Sequence, residues 1–201
     1  HQFDTPERGF SFRFGDEMLD MRMNEEQELT AALILNNYEE KALADMLYRY
    51  GEFRESRKLA KSICMARQNE PINKVSDLVN VLERFIPHKE RSQFLARICQ
   101  ALRIEVNDEL AALKDLLDQS AGLLKQGGRL VVISYHSLED RMVKNYINYG
   151  NVDGDDKRDV FGNRIGRVFE PVNKKPLTPS EAEIERNPRS RSAKLRIAEK
   201  R

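Results

Sequence analysis

The stretch GGRLVVISYHSLEDR, residues 127–141, decides how this chain is read. Two glycines open it. Leu130, Val131, Val132 and Ile133 follow without a break, and Ser134, Tyr135, His136 and Ser137 lead into a charged segment with helical spacing. A continuous apolar run rich in β-branched residues and bounded by glycines is the pattern of a strand covered on both faces, as in a parallel α/β sheet. Residues 137–149 read as a helix with Ser137 as N-cap and Asp140 three residues on, close to a capping box. In open α/β sheets ligands sit beyond the carboxyl ends of the strands, where the next helix also offers free N–H groups. Ser134, His136 and Ser137 occupy that place, and a histidine there can donate or accept near neutral pH. The competing reading is that His136 and Ser137 only cap the helix. Strand-end geometry does not separate the two.

Moving outward, residues 150–166 are polar and glycine-rich and read as a mobile loop. Residues 168–172 and 193–198 are short strands, and between them Ser180 caps a small helix that Pro188 ends. Toward the N-terminus helices dominate from about Glu26 to Lys125. The expected segments are 30–35, a helix capped by Asn37 and stopped at Gly51, 53–68, 76–85, 92–106, and 107–125 with Asn107 as N-cap. Residues 1–24 show no period, but Phe10, Phe12 and Phe14 alternate with polar positions and must pack on something. One buried strand cannot make a parallel sheet. The chain therefore reads as the second half of an α/β domain whose first strands lie elsewhere.

The bulk properties narrow the class. The chain has 201 residues, 40% hydrophobic and 33% charged, which suits a globular protein. No apolar run approaches the roughly 20 residues that span a bilayer, and the opening lacks the basic start and apolar core of a signal peptide. Cys64 and Cys99 lie in helical patterns and read as core thiols in a reducing cytoplasm. The net charge of +1 conceals an uneven distribution. Residues 1–28 hold eight acidic and three basic side chains, whereas 187–201 hold six basic ones and Glu199. Such a tail suits a polyanion, or a solvated end docked on the acidic start. Arg54, Arg57, Lys58, Lys61 and Arg67 recur along one helix, where a solvated face with Glu52 and Glu55 is the plainer reading. No G-x-S-x-G, P-loop or G-x-G-x-x-G is present, and three scattered histidines do not make a metal site.

Four motifs fall in one order: HQFDTPERGFSFRF with LDMRMN (1–14 and 19–24), ICQALRIEVNDEL (98–110), GGRLVVISYHSLEDRMVK (127–144) and NPRSRSAKLRIAEK (187–200). Together they resemble the MraW/RsmH family of bacterial 16S ribosomal RNA (cytosine-N4)-methyltransferases, from Gln2 to Lys200. The resemblance implies a Rossmann-like methyltransferase sheet, here only its C-terminal strands, with a mainly helical inserted domain. The implied division is 1–23 as the loop after a missing central strand, 24–105 as the helical substrate-recognition insert, and 106–201 as the C-terminal half of the methyltransferase domain. S-adenosylmethionine is the implied donor, 16S rRNA of the small ribosomal subunit the implied partner, and the cytoplasm the implied setting. The family's glycine-rich strand-turn, ribose-holding acid and Asp-Leu-Gly-Val-Ser-Ser strand end come earlier than HQFD. Of its cofactor contacts only Gln2 carries over, so the expectation is weak cofactor binding or none.

That resemblance gives the candidate residues their roles. Cytosine N4 is a poor nucleophile and must be placed in line with the methyl donor while an acceptor takes a proton. Ser134, His136 and Ser137 are the candidates for holding the base or taking the proton. Tyr135, Phe10 and Phe12 are candidates for a surface under a splayed base, with core packing the plainer reading for the phenylalanines. Arg189, Arg191, Lys194 and Arg196 are the expected phosphate contacts. Arg8, Asp20 and Arg22 are expected to clamp the opening loop, and Arg103 and Asn107 to tie the insert to the catalytic domain. An uncovered sheet edge also invites pairing with a second copy. The rival readings are a non-catalytic RNA-binding helical module and a nicotinamide oxidoreductase half-domain, for which no fingerprint is present.

Overall fold

The computed structural model of the protein describes residues 9–10, 12, 17–162 and 164–201. Two compact units divide the chain, 1–109 and 110–201. Gln2, Arg8 and Phe14, named above, lie outside the described residues.

The first unit is helical: α1 (Ala31–Asn37), α2 (Glu40–Arg49), α3 (Ser56–Ala66), α4 (Val75–Leu82) and α5 (Arg91–Asn107). Each buries one stripe. Leu43, Met46 and Leu47 of α2 meet Leu59, Ala60 and Ile63 of α3 and Leu95, Ile98 and Leu102 of α5 in a single core. Phe10, Leu19 and Met21 of the opening segment are buried in that core, and Phe12 packs against it. Both phenylalanines thus take the core-packing role. The segment is stitched in by backbone. Leu19 N–H donates to Asn73 O (2.8 Å), while the N–H groups of Ala31 and Ala32 donate to Asp20 and Leu19 carbonyls (3.0 and 2.8 Å).

Asp20 and Arg22 form the expected clamp, a two-pronged pair at 2.7 and 2.9 Å, and Arg22 Nη1 also donates to the carbonyls of Glu25 and Gln27. Gly9 is obligatory: its φ is +65°, and a Cβ there would sit 2.0 Å from the Met18 carbonyl oxygen. Asn107 is not an N-cap. α5 runs through it, and the chain turns at Asp108 in the left-handed region (φ 48°, ψ 42°). Helix α2 likewise starts three residues beyond Asn37, after Glu39, because α1 itself extends to Asn37. Cys64 and Cys99 are free, half-buried thiols beside the core, and burial pushes Cys99 up to about 12.

The second unit holds most of α6 (Glu109–Leu123), then β1 (Arg129–Ser134), α7 (Ser137–Tyr149), β2 (Phe169–Pro171), α8 (Glu181–Arg186) and β3 (Lys194–Lys200). The strands form one antiparallel sheet in the order β1-β3-β2. The parallel sheet expected for β1 does not occur among the described residues. β1 pairs only with β3, with Arg129 opposite Glu199 and Ser134 opposite Lys194. Its alternate residues differ accordingly: Leu130, Val132 and Ser134 face inward, whereas Val131 and Ile133 are 54% and 53% exposed. The run is apolar on both faces, but only one of them is covered.

Leu117, Val143, Tyr146, Ile147, Phe169 and Ala198 form the inner core. Lys200 Nζ donates to the carbonyls of Ala121 and Leu124 at the end of α6 (2.6 and 2.7 Å), where a cation suits the helix dipole. The polar stretch after α7 is braced rather than structureless. Asp156 pairs with Arg158 and Arg164 (both ion pairs under 3 Å), and Arg164 lies 4.7 Å from the Tyr149 ring centre. Gly150 closes its base at φ +78°, where a Cβ would sit 2.1 Å from the Gly166 carbonyl oxygen. No helix among the described residues is long and apolar enough to cross a membrane.

Candidate active site

The site is built at the carboxyl end of β1. Ser134 is the last strand residue and is 2% exposed. The chain then turns through exposed Tyr135 into α7. The N-cap of α7 is His136, not Ser137. His136 Nδ1 accepts from the N–H of Glu139 (3.4 Å), and Glu139 Oε2 accepts from the N–H groups of Tyr135 and His136 (2.9 and 3.4 Å). This is a capping box written with a histidine, displaced by one residue from the expected one, and Asp140 plays no part in it. Because Nδ1 accepts, the imidazole proton belongs on Nε2, which lies 3.3 Å from Glu139 Oε1. Burial pushes the Glu139 carboxyl up, but hydrogen bonds from His136 and Tyr135 outweigh it and leave the group below the ordinary range.

Asp140 is buried beneath this turn and carries a different load. Its oxygens accept from Arg196 Nε (2.7 Å) and Nη2 (3.1 Å) and from Lys194 Nζ (3.3 Å). Burial opposes ionisation, but the Arg196 and Lys194 partners prevail, and the carboxyl sits below the usual carboxylate range. The inner face of the sheet is therefore apolar at one end, around Ala198, and ionic at the other, beneath Ser134. No alignment of apolar residues in the sequence signals that pair. Only the β1–β3 register brings residues 140 and 196 together.

Among the described residues, Ser134 Oγ is buried with no hydrogen-bond partner, while the buried His136 Nε2 has the Glu139 carboxylate beside it at 3.3 Å. They stand two residues apart at one strand end. Buried orphan groups are rare, because each forgoes water without compensation.

The expected phosphate contacts divide. Arg196 is buried on Asp140, so its guanidinium is committed to the fold, and Lys194 leans on the same carboxylate. Arg189 and Arg191 lie exposed in the 3-10 turn Pro188–Ser192. In the helical unit, Arg67 donates to the Leu35 carbonyl (2.7 Å) and is structural, while Arg54, Arg57, Lys58 and Lys61 are exposed. Arg103 pairs with Glu109 (2.7 and 3.0 Å), and Asn107 ties α5 to the opening loop through the Met21 carbonyl and Met23 N–H (2.8 and 2.7 Å).

Proteins named ribosomal RNA small subunit methyltransferase H resemble the chain from end to end. The one from Bacteroides thetaiotaomicron is 55% identical over 200 residues, that from Parabacteroides distasonis 54%, and that from Cytophaga hutchinsonii 52%. Each alignment covers 100% of this chain and 65%, 65% and 66% of the respective relative, so the chain spans about two-thirds of their length. The profile of the MraW methylase family matches residues 1–201, and the chain belongs to that family.

Proposed function

We propose that this chain is the larger part of an S-adenosylmethionine-dependent enzyme that methylates the N4 amino group of a cytosine in small-subunit ribosomal RNA. The observation that carries the reading is the orphaned Ser134 Oγ, with His136 Nε2 two residues on, at the carboxyl end of β1. In open α/β enzymes that end faces the ligand. Those atoms fit a polar substrate placed beside a methyl donor. When bound, S-adenosylmethionine supplies the electrophilic methyl group. By resemblance Gln2 contributes to its grip, and the rest of that grip belongs to the additional length of the relatives.

The chain's own residues do the positioning. The N4 lone pair is delocalised into the cytosine ring, so the amino group must be turned and held before it can attack. Ser134 Oγ accepts one amino hydrogen. Its burial removes competing water, which makes that hydrogen bond directional and strong. His136, whose Nδ1 caps α7 and whose Nε2 lies beside the Glu139 carboxylate, borders the base and helps to hold it. Ser137 and the exposed ring of Tyr135 bound the same space. As the new N–C bond forms, one amino proton must leave, and its main acceptor lies in the segment the relatives carry beyond this chain. The unpaired edge of β1 is where the further strands of a Rossmann-like sheet add, and a second copy of the chain competes for the same edge. RNA is held by Arg189 and Arg191, in the cytoplasm where ribosomes are assembled.

The test uses a protein of the relatives' full length and small-subunit particles lacking the modification. Nucleoside analysis after incubation with the donor should find N4-methylcytidine, and Ser134→Ala should lower kcat by about tenfold or more. Methylation at another atom overturns the N4 assignment. A full rate for Ser134→Ala overturns the role of its hydroxyl. RNA binding without methyl transfer would favour a non-catalytic RNA-binding module.

A further inference from the structure

The basic row on α3 has no part in the site described so far. Lys58, Lys61, Ser62 and Met65 recur at three- and four-residue spacing and so share one face of the helix. Of these, Ser62 and Met65 line a cavity of about 700 Å³ opening between α3 and α4, within the size range of small-ligand sites. Ile86 is buried in its lining and Val81 half-buried, while Met65, Asn69, Asn80 and Arg84 are exposed around it.

The polar groups are not placed at random. Buried Ser62 donates to the Val81 carbonyl (3.3 Å) and accepts from Arg84 Nη2 (3.2 Å). The Arg84 guanidinium also lies 4.8 Å from the Phe85 ring centre, so it is fixed in orientation from two sides. The carboxamides of Asn69 and Asn80 make no hydrogen bond to the described residues. The neighbouring acids are already paired, Glu83 with Arg91 (2.5 Å) and Glu55 with Lys58 (2.7 Å). Glu83 and Arg84 are the charged residues of the lining itself.

We infer that this cavity is a nucleobase subsite, which takes one unpaired base of the RNA substrate. An apolar lining suits a flat heterocycle. Two carboxamides offer the donor and acceptor pairs that read a base edge, and a fixed guanidinium plane is a stacking surface. The inference rests on the RNA reading above. It assigns to the helical unit a contact separate from the strand end that would do the chemistry.

The experiment uses the full 201-residue chain with methyl-labelled methionine and probes it by NMR with each of the four ribonucleoside 5′-monophosphates and with inorganic phosphate. The Met65 methyl signal should shift saturably with at least one nucleotide and not with inorganic phosphate at the same concentration. Asn69→Ala with Asn80→Ala should weaken that binding by about tenfold. Both positions are exposed, and an unchanged signal from Met21, which is 0% exposed, verifies the fold. No Met65 shift, an equal shift with inorganic phosphate, or a shift indifferent to the double substitution overturns the subsite. Methyl transfer is measured separately in the full-length protein, so loss of the subsite and loss of the enzymatic reading give different results.

Discussion

Met21 shows how single residues hold the opening segment. It is completely buried and sits at φ 61°, a left-handed conformation that costs a non-glycine residue about 1–2 kcal/mol. Asn107 compensates by holding the backbone that follows the Met21 Cα, at the Met21 carbonyl and the Met23 N–H. Asn107→Ala should therefore lower the unfolding free energy by about 2 kcal/mol in urea titrations, one hydrogen bond contributing roughly 1 kcal/mol. Ser134 is the opposite case. Its hydroxyl is buried without a partner, so Ser134→Ala should leave the thermal midpoint unchanged or raise it while catalysis falls. A clear fall in midpoint would mean the hydroxyl serves the fold. Asp140 gives a pH signature. Its folded pKa lies below its unfolded one, so its stabilisation is complete above the unfolded value of about 4 and is lost as pH falls through the folded value. Between about pH 6 and about pH 3 the wild type should lose more stability than Asp140→Asn, in which the ionic pair is already broken.

At the level of elements, α7 and β1 form a unit joined by the His136–Glu139 cap. His136→Ala should cost about 1 kcal/mol by loss of the cap, read in the same urea titrations. The outer face of β1 behaves differently. Val131 and Ile133 are exposed on a strand with one unpaired edge, a combination that favours edge-to-edge association. Ile133→Lys should reduce the light scattering of concentrated protein without lowering the thermal midpoint, since the side chain buries little in this chain. Much of this was legible. Helices ended near Gly51, Pro71 and Pro87 as their breakers dictate, and the Ser180 cap and both late strands lie within a residue or two of where the pattern put them. The N-cap of α7 shifted by one because an imidazole nitrogen accepts as well as a hydroxyl, and propensity favours the hydroxyl. Periodicity reported the burial of β1 and not its partner, which among the described residues is the antiparallel β3.

Over the whole molecule, charge must be sorted by tertiary structure before it predicts binding. Replacing exposed Arg189 and Arg191 with glutamine should reduce the slope of log affinity against log salt for single-stranded RNA by about 0.7 for each contact removed. Arg196→Gln should act on stability, by about 3 kcal/mol, because it strips a buried carboxylate of its partner. In the sequence, Arg189, Arg191, Lys194 and Arg196 form one basic row. In the fold, two of them serve Asp140. By itself the sequence determined the helical block, the strand–turn–helix at 127–149, the placing of polar residues at a strand end, and membership of a family through four ordered motifs. These depend on local spacing, caps and breakers, which act over a few residues. Only the tertiary structure decided which strands pair, which cations are buried, that Ser134 keeps an unsatisfied hydroxyl, and that α3 and α4 leave a cavity between them. Those outcomes depend on residues far apart in the chain, and their energies exist only once the register brings the partners within reach.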